Sequence, residues 1–269
     1  MEAIQVKTRA AERLLNLSGK AWLVIAFAGQ AVFAYYILML YGRSAAQGDM
    51  ERWNASAPHG YEAGDWTGNF FFGLHVALAA VITIGGPLNL LPAIRRAWPV
   101  FHRLNGKVYI FSAYLISLAG LYLAWVRGAV GGLTGSVFIS INAAIIMICA
   151  TYAWRCAKAR QIAAHERWAL RLYLAMSGVW MFRVGLMLWL AIHQAPVGFD
   201  PETFQGPFLN ALYITVYVLP VLLLQGYFFA HEQNTAVPKY TAAGFLLLTG
   251  VGMLVGIVAA TMGMWLPRL

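Results

Sequence analysis

The sequence predicts an all-α integral membrane protein with seven transmembrane helices. Three observations carry this. Seven stretches reach the roughly 20 mostly apolar residues that a bilayer crossing needs. Hydrophobic residues make up 61% of the chain and charged ones only 11%, against about 25% charged in an ordinary soluble domain. Basic residues concentrate on alternate connections. In lipid a helix satisfies every backbone amide within one segment, so apolar stretches of this length read as helices.

The elements follow in order. The first 20 residues are charged and lack a signal peptide's apolar core and small-residue cleavage site, so span one (Ala21–Leu40) reads as an uncleaved anchor. The outer loop 43–67 is the longest polar stretch. Span two is Gly68–Leu91, interrupted by Gly85-Gly86-Pro87. That triplet reads as a packing kink or as a place where a neighbouring helix or flat ligand comes close. Spans three to six are Gly106–Val126, Thr134–Ala153, Leu170–Ile192 and Pro207–Phe229. Span seven, Tyr240–Met264, carries five glycines and no ionisable group, and reads as a close-packed, lipid-facing helix. The chain, 1–269, is therefore one bundle. Residues 68–193 form a four-helix core of two hairpins, with spans one, six and seven peripheral.

Orientation follows from Lys and Arg beside the spans. Fourteen fall on one side: Lys7, Arg9, Arg13 and Lys20; Arg95, Arg96, Arg103 and Lys107; Arg155, Lys158, Arg160, Arg167 and Arg171; and Lys239. Four fall on the other: Arg43, Arg52, Arg127 and Arg268. This predicts a multi-pass protein of the cytoplasmic (inner) membrane, N-terminus in and C-terminus out. The net charge of +9 then matches anionic lipid and gives no nucleic-acid footprint. Cys149 and Cys156 are seven residues apart on one helix, about 10 Å of rise. That is too far for a disulfide, and both read as packing residues.

The two central hairpins resemble each other. The second helix of each starts with a histidine in a basic setting, His102-Arg103 and His165-Glu166-Arg167, and a tyrosine follows about two turns on, Tyr109 and Tyr173. A duplicated hairpin pair packs about an axis along the membrane normal, which would bring His102 and His165 to one depth.

Ionisable groups within spans are functional candidates because they are expensive there. His75 lies about two turns into span two. Arg183 lies roughly 24 Å into span five at 1.5 Å per residue. Asn142 of span four has a comparable depth. No Asp or Glu occurs within any span. Arg183 therefore either snorkels to headgroups or faces a pocket with His75 and Asn142. His102 and His165 either cap helix starts at the headgroups or ligate a haem b iron, with Tyr109, Arg103, Arg167 and Arg171 around it. His59, His193 and His231 lie in loops or at helix ends and carry no such reading. There is no Gly-rich phosphate loop, His-Glu-x-x-His motif, paired-cysteine metal motif or Ser-His-Asp arrangement.

The run His-Arg-x-x-Gly-Lys-Val-Tyr from His102 to Tyr109 resembles the multi-pass membrane family known as domain of unknown function 2306. So do His165-x-Arg167-Trp168 with Arg171 and Tyr173, the later Arg183, His75, and Gly86-Pro87. The resemblance covers about 70–192 and departs from the family pattern at Ala169 and Asn89. It implies a membrane location and no established activity. More loosely, the histidine spacing is similar to di-haem b-type cytochromes, whose core helices pair second with fourth and third with fifth. Here the third-with-fifth pair has candidates, while His75 faces Asn142.

The expected function is a membrane redox protein, a candidate oxidoreductase that binds haem b and transfers electrons. The alternatives are a bundle that binds or transports a quinone or a small anionic or lipophilic ligand, and an accessory subunit of a membrane complex.

Overall fold

A computed structural model describes residues 2–57, 59–128 and 131–269, with side chains from Thr8 onward. Lys7, counted in the charge asymmetry, has its side chain outside that range. The described residues are helical nearly throughout and form no strand beyond an isolated Asp200–Gln205 bridge.

The long helices are α1 (Glu2–Ile37), then, after the short α2 (Arg43–Gln47), α3 (Trp66–Leu90). After the one-turn α4 (Pro92–Ala97) come α5 (Pro99–Tyr122), α6 (Gly132–Lys158), α7 (Ile162–Met176), α8 (Gly178–His193), α9 (Pro207–Glu232) and α10 (Ala236–Ala260). Their starts follow local chemistry. The Asp65 carboxylate accepts from the Gly68 amide at 2.9 Å and caps α3. Prolines 92, 99 and 207 open α4, α5 and α9, where a missing amide costs nothing.

Among the described residues, six helices are long and apolar enough to cross a membrane, and the α7–α8 pair makes a seventh crossing if taken as one broken span. The expected continuous span five is in fact bent by 52° at Ser177. Gly178, the first residue of α8, lies against α9 at this bend. A Cβ at 178 would lie 2.5 Å from Cε1 of Tyr217, so only glycine lets α9 approach the break.

Along the chain, α3 packs on α5, α5 on α6 and α6 on α7. The expectation that spans one, six and seven are peripheral needs correction. The bundle's largest fully buried side chains include Trp265 and Tyr36, whose rings lie 6.2 Å apart where the ends of α1 and α10 meet. Gly256 of α10 sits against the backbone of Val184 in α8. Lys239, counted above as an orienting charge, is buried at 3% exposure and paired with Glu12, which also meets His231 Nδ1 at 2.7 Å. This clamp ties α1 to α9 and α10. The opposite side of α10 exposes Leu247, Leu248, Val251 and Val258, as a lipid-facing surface requires.

The described residues of the 43–67 segment are folded rather than loose. Trp53 is buried in it and donates to the Tyr41 carbonyl at 3.2 Å. Three spans end at this loop-bearing side of the bundle in π-helical turns: Leu38–Gly42, Leu123–Gly128 and Thr261–Trp265. The opposite side is the basic end.

Candidate functional site

The bundle encloses a cavity of about 550 Å³. It lies among α1, α3, α5, α6, the α7–α8 break and α9, and extends toward the loop-bearing end, where Glu202 and Arg268 line it. Helical spacing explains which residues of α3 face it. Phe72, His75, Val76, Ala79, Ile82 and Thr83 recur at three- and four-residue intervals on one side.

His75, Asn142, Arg183 and Tyr109, all singled out from the sequence, line this one cavity. The guanidinium of Arg183 stands 5.5 Å over the Phe33 ring, and its Nη1 donates to the Val179 carbonyl at 3.4 Å. No carboxylate pairs with it among the described residues. Asn142 is 8% exposed, and its Oδ1 has no hydrogen-bond partner; Nδ1 of His75 and Nε1 of Trp180 are likewise buried without partners. All three residues line the cavity. Buried polar atoms normally find partners, so three unpartnered ones around a single space mark a place where a bound molecule would supply them.

The cavity floor is polar and ordered. Tyr173 donates to Oε1 of Gln30 at 3.0 Å, Gln30 Nε2 donates to Ser177 Oγ at 2.9 Å, and Ser177 Oγ donates to the Tyr173 carbonyl at 2.8 Å. The triangle sits on the helix break. Beside it, Gly86 of α3 receives both repeat tyrosines: a Cβ there would lie 3.1 Å from Tyr109 Oη and 3.1 Å from Tyr173 Cδ2. Asn105 Nδ2 donates to the Gly85 carbonyl at 2.9 Å. The Gly-Gly-Pro interruption is thus a seat for two aromatic rings. Pro87 also withholds the amide that would have bonded the carbonyl of Thr83, a cavity-lining residue.

The second group of sequence candidates lies elsewhere. His102 opens α5 and His165 lies in the first turn of α7, within electrostatic reach of each other, and neither borders this cavity. His165 Nδ1 meets the Ala153 carbonyl at 2.9 Å, and His102 Nδ1 is buried without a partner. Arg103 is exposed. Arg167 pairs with Glu232 at 2.5 Å, and Arg171 bonds Gln225 at 2.8 Å and lies over Trp168. Those two arginines hold α9 to α7.

Gln30 and Ser177 carry no ionisable group, and the sequence reading passed over them. The available signal was a glutamine alone in span one and a Ser-Gly pair inside span five. Among the described residues no three or more His, Cys, Asp or Glu side chains are grouped so that they could hold a metal ion.

Comparison with known families agrees with the membrane architecture. Residues 72–202 match the DUF2306 family, described as a predicted membrane protein. The DUF2306 segment runs from α3 through α8 and includes His75, Asn142, Tyr173 and Arg183. It leaves out α1, α9 and the C-terminal segment after α10, which complete the cavity with Gln30, Tyr217 and Arg268. No curated protein and no solved structure matches the chain.

Proposed function

We propose that this protein binds a small organic anion with an apolar body inside the larger cavity. One observation carries the reading: Arg183 lines an otherwise largely apolar space, and among the described residues it forms no ion pair with a carboxylate. An insertion cost of about 3 kcal/mol for a central arginine is poorly explained by folding alone. Arg268, at the same end, adds a second cation against the single carboxylate of Glu202. The partnerless atoms of Asn142, His75 and Trp180 offer further contacts to a polar group. In the charge-based orientation the cavity extends toward the outer face of a cytoplasmic membrane.

The test uses n-octanesulfonate, a permanent anion with an apolar tail, titrated onto the purified protein. Saturable binding is expected, weakened at least tenfold in Arg183→Met with the melting temperature unchanged or raised. Arg183→Lys is expected to rescue poorly, because lysine lacks the planar fork. Equal binding by wild type and Arg183→Met would sink the reading.

One observation favours haem b as a second reading. A ligating histidine commonly commits its other nitrogen to a backbone carbonyl, as His165 does with Ala153. Neither His102 nor His165 borders either of the two cavities described, so this reading has less geometric support than the anion reading. A Soret band lost in His165→Ala would support haem, and a colourless protein expressed with haem supplied would remove it.

A further inference from the structure

A second, smaller cavity of about 170 Å³ lies among α1, α7, α9 and α10. It is lined by Asn16, Lys20, Leu23, Leu170 and Pro220, among others, and Lys20 stands exposed at its rim toward the basic end. Tyr173 lines both cavities. One side chain therefore forms the floor of the larger space and a wall of the smaller.

We infer that the two cavities are the two halves of one path through the membrane, closed by the ring of Tyr173, and that the path carries a small amphipathic anion across. The inference takes the cargo class from the binding reading; the path itself rests on the shared wall.

Four features support it. Tyr173 is 3% exposed and wedged between helices: its ring meets Phe27 of α1 edge-on at 5.8 Å and lies against Gly86 of α3. Its hydroxyl is held by Gln30, which is held in turn by Ser177 at the 52° break. Broken helices of this kind are where transporters place sites near the bilayer midplane, because the interruption gives the chain a joint beside a cavity. Each half also carries a cation without an acidic partner among the described residues, Arg183 in the larger and Lys20 in the smaller, so an anion meets favourable charge on both sides of the ring.

Cysteine accessibility tests the path without any ligand. In a Cys149→Ala/Cys156→Ala background, Ala79→Cys reports on the larger cavity and Leu23→Cys on the smaller. A charged, membrane-impermeant methanethiosulfonate is applied from one side at a time. Ala79→Cys is expected to react from the loop-bearing side and Leu23→Cys only from the basic side. Adding Tyr173→Ala should raise the reaction of Leu23→Cys from the loop-bearing side at least tenfold, while Tyr173→Phe, which keeps the ring, leaves it closed. Gln30→Ala keeps the ring but empties the buried side-chain volume between Tyr173 and Ser177 that holds the ring in place, and should give a smaller rise, so the test survives if Tyr173→Ala does not fold. No rise in either variant, or reaction of Leu23→Cys from both sides in the parent, overturns the closure by Tyr173. Release of n-octanesulfonate from proteoliposomes tests the cargo. A rate at least tenfold above protein-free vesicles is expected. Equal rates would overturn translocation while leaving the binding reading standing on its own titration.

Discussion

Gly256 of α10 lies directly on the carbonyl oxygen of Val184 in α8, with no room for a Cβ between them. The contact pins the last span to the helix that carries Arg183. Without a hydrophobic drive between helices in lipid, such small-residue contacts are what bring backbones close enough to hold a bundle.

Replacing Gly256 with leucine is therefore expected to cost about 1–3 kcal/mol, the usual penalty for overfilling a packed site. The obstruction is backbone, which cannot rotate away. Gly252→Ala is the matched control, because its Cβ would meet Leu188 Cδ2 at an ordinary 3.5 Å. Thermal unfolding in detergent should show a lowered midpoint for Gly256→Leu and little change for Gly252→Ala. Equal midpoints would mean that the α8–α10 contact is not tight.

Topology is open to a direct check. Ala46 follows span one and Gln161 joins α6 to α7, and both are exposed. With the two native cysteines replaced, Ala46→Cys and Gln161→Cys should be labelled from opposite faces, Gln161 from the cytoplasm. Ser44, two residues before Ala46, is 1% exposed and would not report. Labelling of both positions from one side would reverse the reading of the charge asymmetry.

Acid is expected to loosen the segment beside the larger cavity. The Asp200 carboxylate accepts from the amides of Glu202 at 2.7 Å and Thr203 at 3.3 Å, and these donors hold its pKa below the ordinary 3.8. A lowered pKa in the folded state stabilises the turn above that value and is lost as pH falls through the folded pKa. Pro201, Glu202 and Phe204 of this turn line the cavity. Amide protection over 200–206, relative to the intrinsic exchange rate at each pH, should fall on acidification below pH 3.8, and Asp200→Asn should show the lower protection already at neutral pH. Unchanged protection in Asp200→Asn would show that the carboxylate does not hold the turn.

The spans were legible because hydropathy is a local property, and each helix carries it within its own residues. The grouping of His75, Asn142 and Arg183 was also legible, since depth along a helix can be counted from the sequence. Gln30 was not. Its meaning lies in contacts to Tyr173 and Ser177, 143 and 147 residues away, and one amide in an apolar window changes mean hydropathy little. The roles of α1 and α10 were hidden for a related reason. Glycines such as Gly256 mark close contact only once the neighbour is known, and without ionisable groups these spans looked inert. The break at Ser177 was written in Ser177-Gly178, but small residues are common in continuous spans too.

The π-helical turns at Leu38–Gly42, Leu123–Gly128 and Thr261–Trp265 have a consequence for how the site can change over generations. Each is a helix with one residue more than the α repeat accommodates, and one residue turns everything beyond it by about 100°. Tyr41, Leu123 and Met264, which line the cavity, sit within them. Loss or gain of a single codon in any of the three spans would swap the side chains presented there, while Gln30, Tyr173 and Ser177 deeper in the bundle stay in register. Selectivity at the rim and closure at the floor can thus be inherited and altered separately.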